Sequence, residues 1–155
     1  MLNRFSYVAL IASSILPIWA LPARAEKCVE FAVQVDDGIW SQYTNCSFPD
    51  RGGVFQNNFW EISIAHAGGE AAHYLYKGRN RKNGSSLQLT QSSFQGTTER
   101  SQYVFRNGSY SYIVTIRRSE PNTIRLEVYE GSRVILNQLL NRVGDWQAAE
   151  NNICS

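Results

Sequence analysis

The chain has 155 residues, one domain's worth, with 15 basic and 13 acidic side chains. Two of the basic residues, Arg4 and Arg24, lie in a leader, and without them the balance is 13 against 13. A neutral chain lacks the overall positive field of a general nucleic-acid binder, so that class is set aside.

Residues 1–25 read as a secretory signal. Arg4 gives a positive start, "YVALIASSILPIWAL" is an apolar run broken by Pro17, and Ala23 and Ala25 are the small residues of a cleavage site before Glu26. The run is too short to span a bilayer of ~30 Å, which needs about 20 residues. Glu26 and Lys27 ahead of Cys28 do not suit a lipoprotein. The expected product is residues 26–155, a single β-domain with no transmembrane segment, secreted or periplasmic.

"KCVEFAVQVDDGIWSQYTNC" follows as a hairpin turning at Asp36, Asp37 and Gly38. Pairing about Asp37 sets Val35 against Ile39, Val33 against Ser41, Phe31 against Tyr43, and Cys28 against Cys46. Opposed strand residues have Cα atoms about 4.5–5.5 Å apart, inside the range a disulfide accepts. The expected disulfide is therefore Cys28–Cys46, worth ~3 kcal/mol in an oxidising compartment. Cys154, next to the last residue, can instead take either partner or join two molecules.

Residues 45–58 read as the longest loop. "FWEISIAH" (59–66) alternates as a strand, and "AAHYLYKGRNR" (71–81) returns from it. Asn83–Gly84 turns the chain into residues 85–91. Asn107–Gly108 sits between "SQYVFR" and "SYSYIVTIRR", setting Arg106 against Ser109. "TIRLEVYE" (123–130) and "RVILNQLL" (133–140) flank a Gly-first turn at 131–132. Only residues 145–152 read as a helix, a short C-terminal one capped by Asp145. The fold class expected is all-β, an antiparallel meander of about 8–9 strands forming a small barrel or sandwich. Closure removes the exposed edges of an open meander.

No catalytic, phosphate-loop or dinucleotide signature is present, so a non-enzyme with no cofactor is expected. A small hydrolase with a scattered site is the third alternative. His66 and His73 face each other if Gly69–Glu70 is a two-residue turn, and Glu61 shares the strand of His66. They are candidate metal ligands; two polar residues near a turn is the favoured reading, and no metal is expected.

The charges are uneven. Residues 71–118 hold eight basic side chains against Glu99 alone. Lys77, Arg79 and Arg81 share one face of a strand with Lys82 at its turn, Tyr74 and Tyr76 occupy the other face, and Arg106 and Arg117 lie on the neighbouring hairpin. These six are the candidate binding residues. Their guanidinium groups suit carboxylate, phosphate or sulfate, as offered by an anionic polysaccharide, an anionic headgroup or an acidic protein. A solvated strand face that discourages edge pairing is the alternative.

"YLYKGRNRKNGSSLQL" with "YVFRNGSYSYIVTI…IRLEVYEGSRVILNQLL" resembles a group of small exported bacterial β-proteins of unknown function, over about residues 72–140. The resemblance implies export. "LQLTQSSFQG…YVF…RVILNQ" is similar in strand order to periplasmic inhibitors of c-type lysozyme. Those inhibitors use an S-G-x-x-Y loop that "SSFQGTTERSQY" lacks, so no residue role carries over. The expected function is an exported binding protein of the cell envelope or extracellular space, and the alternative is an inhibitor of a hydrolase such as lysozyme.

Overall fold

The computed structural model describes residues 30–36, 39–44, 48–67 and 73–155. Residues 1–29, the turn residues 37–38, residues 45–47 and residues 68–72 lie outside the described residues, and with them Cys28, Cys46 and the expected turn at Gly69–Glu70. Among the described residues, strands β1 (Glu30–Asp36) and β2 (Ile39–Thr44) pair only with each other. Their register sets Phe31 against Tyr43 and Val33 against Ser41, as the alternation requires. A bulge beside the turn then places Asp36, not Val35, opposite Ile39.

The remaining strands close into one antiparallel barrel. They are β3 (Gly52–Gln56), β4 (Trp60–His66), β5 (Tyr74–Asn80), β6 (Ser86–Gly96), β7 (Arg100–Asn107), β8 (Tyr110–Arg117), β9 (Thr123–Glu130) and β10 (Arg133–Gly144). Each pairs with its sequence neighbour, and β10 closes the ring on β3.

β3 lies in the stretch the sequence marks as loop. Gly52 and Gly53 conceal it, because they interrupt any alternation, yet the closure needs them. Their φ values are +131° and +155°, and a Cβ on Gly52 would stand 2.0 Å from the Ile64 carbonyl oxygen. On Gly53 it would stand 2.4 Å from Arg142 Nη1. The backbone approach at Gly52 admits no side chain, and at Gly53 a Cβ would also stand 2.9 Å from the Gly144 carbonyl oxygen.

Two turns differ from expectation in detail. The β7–β8 loop is Gly108–Ser109, so Asn107 pairs with Tyr110 and Arg106 lies opposite Ser111, not Ser109. Gly108, at φ +59°, takes the left-handed position that Asn107 would take at greater cost. A slip of two residues leaves every side chain on its expected face. On β4–β5, His66 lies opposite Tyr74 rather than His73. A slip of one would have turned Lys77 and Arg79 inward. The observed register buries Tyr74 and Tyr76 and leaves both cations on the outer face.

The barrel interior is solid. Phe55, Ile62, Ile64, Phe105, Ile124 and Leu126 are all at most 1% exposed, and each such side chain contributes about 1.5–3 kcal/mol. Tyr76 packs against Phe105 and Tyr112, with ring centroids 5.1 and 5.8 Å away. Phe48 fits against Phe55, Tyr74 and Tyr103 at one end, and its backbone N–H donates to the Tyr74 hydroxyl at 2.8 Å.

A helix, α1 (Trp146–Cys154), follows β10 directly. Asp145 caps it by accepting the Ala148 N–H at 2.9 Å. Its buried Ala149 and Ile153 meet Val54 and Ala65 on the outer faces of β3 and β4, forming a second small core. Among the described residues no helix is long and apolar enough to cross a membrane.

Candidate functional site

The barrel distributes the basic segment over several places. Lys77 and Arg79 stand on the outer face of β5 beside the end of α1. Lys77 Nζ donates to the Asn152 carbonyl at 2.5 Å, and Arg79 pairs with Glu61 at 3.1 Å. Both cations therefore have structural partners, although the half-exposed ion pair contributes at most about 1 kcal/mol. Arg106 sits at the end of β7 away from Arg100, opposite Ser111 of β8, is exposed, and has β6 between it and β5.

Arg81 and Lys82 lie in the loop between β5 and β6 and reach the β3–β4 loop. Arg81 Nη1 donates to the Asn57 carbonyl at 2.6 Å, and Lys82 Nζ stands 4.6 Å from the centre of the Phe59 ring. Arg117 ends β8. β6 and β7 separate it from β5, so Lys77 and Arg79 face a different side of the barrel. The six expected residues do not form one patch.

Arg117 instead meets two arginines that the sequence pattern does not single out. Arg100 lies directly opposite it across the β7–β8 ladder. Arg125 follows on β9, paired with Thr115 of β8. Together they line a cavity of about 170 Å³ with Thr115, Thr123 and Glu120. The Arg100 and Arg117 side chains make no hydrogen bond or ion pair among the described residues. Arg125 is held by a 2.6 Å bond from Nη1 to the Asn137 side-chain oxygen.

Like charges directly opposite on neighbouring strands destabilise a sheet. With three guanidinium groups against one carboxylate, the cavity carries unneutralised positive charge. A carboxylate, sulfate or phosphate placed there accepts bidentate, charge-assisted bonds. The signal for Arg100 is present in the sequence only through the loop: once Gly108–Ser109 is the turn, residues 100 and 117 must face each other.

An open groove of about 580 Å³ adjoins this cavity. Arg125 and Leu139 line both, so the two lie side by side. The groove is walled by Phe59, Asn58, Gln138 and Asn141. Asn57 fixes the wall: its side-chain oxygen accepts the N–H groups of Phe59 and Trp60, each at 2.8 Å, and its amide donates to the Leu139 carbonyl at 3.2 Å. Phe59 is 44% and Leu139 54% exposed, both high for large apolar side chains.

His66 packs edge-on against Tyr74, ring centroids 5.5 Å apart. Burial, then the charges of Arg51 and His73, holds its imidazole below the usual histidine range. The shift in register removes the face-to-face arrangement expected of His66 and His73. Among the described residues no three His, Cys, Asp or Glu side chains gather as a metal set. Cys154 is exposed and makes no disulfide among the described residues. Comparison with protein-family models, curated proteins and solved structures finds no match to the chain.

Proposed function

We propose that the protein is an exported, non-enzymatic binding protein of the cell envelope or extracellular space, holding an anionic partner in the cavity of Arg100, Arg117 and Arg125. The leader-like residues 1–25 support export. One observation carries the binding: Arg100 and Arg117 oppose each other and neither makes an ion pair among the described residues, with Glu120 the one carboxylate in the cavity's lining, at a cost to the sheet that a bound anion relieves.

The test is binding of fluorescent dextran sulfate, followed by anisotropy at rising salt. Affinity for the unaltered protein falls steeply as salt screens the exposed charges. Arg100→Gln with Arg117→Gln removes two charge-assisted bonds of ~1.5 kcal/mol each, a loss of about a hundredfold. The same variant melts no lower than the parent, because the repulsion is gone. Lys77→Gln with Arg79→Gln, outside the cavity, leaves affinity within about twofold. Unchanged affinity in the first variant refutes the site.

A further inference from the structure

Resting on that reading, we infer that the anionic partner is an acidic oligosaccharide. One of its acid groups occupies the arginine cavity, and its neighbouring rings lie along the groove past Leu139 to Phe59.

The adjacency of cavity and groove is the first ground. Arg125 and Leu139 belong to both, and the run crosses β7, β8, β9 and β10 before ending on the β3–β4 loop. At ~4.8 Å per strand its length from β7 to β10 is about 14 Å, far more than one carboxylate or sulfate fills. The site is thus built for a chain with an acid group on it.

The distribution of chemistry along the run is the second. Charge sits at the two ends: Arg100, Arg117 and Arg125 at one, and Lys82 over the Phe59 ring at the other. Between them are an exposed aliphatic side chain, an exposed ring and side-chain amides. A polymer with a charge on every unit and nothing else would leave that middle unmatched. A uronic acid chain carries C–H faces and hydroxyls on every unit beside its acid group.

The third ground is the state of the amides. Asn57 is spent on holding its loop. Asn58 makes no side-chain bond among the described residues and is exposed. Gln138 and Asn141 use only their oxygens, accepting from Asn57 Nδ2 and Thr123 Oγ1, each at 3.3 Å. Their NH₂ groups remain available, as do both the oxygen and the NH₂ of Asn58. Donors and acceptors side by side match a hydroxyl, which is both at once. The Phe59 ring, with Lys82 over one face, keeps the rest of its surface toward the groove, where it can cover the C–H face of a ring.

Titration calorimetry of the secreted protein tests this with four probes: oligogalacturonate, its fully methyl-esterified form, the galacturonate monomer, and vesicles of phosphatidylglycerol. The expected result is that the oligomer binds about tenfold or more tightly than the monomer, and the ester weakest of the sugars. Phe59→Ala lowers oligomer affinity about tenfold, and Phe59→Trp restores it, which separates contact from folding. If monomer and oligomer bind alike, and both require Arg100 and Arg117, the oligosaccharide inference falls while the arginine site stands. Vesicles binding as tightly as the oligomer overturn it in favour of a headgroup. If no acidic probe binds, the proposed function falls as well.

Discussion

Three tyrosines show how single residues set the terms of this fold. Tyr74, Tyr76 and Tyr103 are at most 3% exposed, and burial pushes each phenol's pKa up. An inward-facing tyrosine supplies a large apolar body, and the Tyr74 hydroxyl also accepts the Phe48 N–H. Burial couples stability to alkaline pH. Below pH ~10 the phenols are neutral in both states and their contribution is complete. Above it the unfolded chain releases protons that the barrel retains, so the unfolded state binds fewer protons and stability falls as pH rises toward the folded values. The urea midpoint is expected to fall steadily above pH ~10, and less steeply in Tyr76→Phe. An identical slope in the two proteins contradicts this linkage.

At the level of elements, most of the structure is legible in the sequence. Glycine marks the turns at 84, 108 and 131, each with positive φ, and period-two alternation marks the strands between them. Asp145 announces α1, which runs two residues past its expected end. β3 was hidden because its two glycines serve a contact with strands far away in sequence, which no local pattern records. The β4–β5 register was also ambiguous locally; it is decided by which slip buries tyrosine and which buries lysine. α1 itself depends on a small apolar contact. Ile153, 5% exposed, is its main anchor against Val54 and Ala65. Ile153→Ala is expected to cost about 2–5 kcal/mol in denaturant unfolding. The alternative outcome, a loss below 1 kcal/mol, would mean that the helix is not held there.

For the whole molecule, closure of the sheet decides where charge ends up. The sequence shows a basic middle but not its geometry, because the hairpins that carry it wrap around a ring. Lys77 and Arg79 turn toward α1, Arg81 and Lys82 reach Phe59, and Arg117 joins Arg100 and Arg125. Arg125 was missed because it reads as one more outward position in "TIRLEVYE". Its role emerges only from β8, β9 and β10 lying side by side. The measurement that addresses the arginine cavity most directly is a ¹H–¹⁵N titration of the arginine Nε–Hε groups with oligogalacturonate. The signals of Arg100, Arg117 and Arg125 should shift together and saturate, while Arg79 stays in place. Shifts centred on Arg79 or Arg106, with the cavity arginines unmoved, would contradict the account.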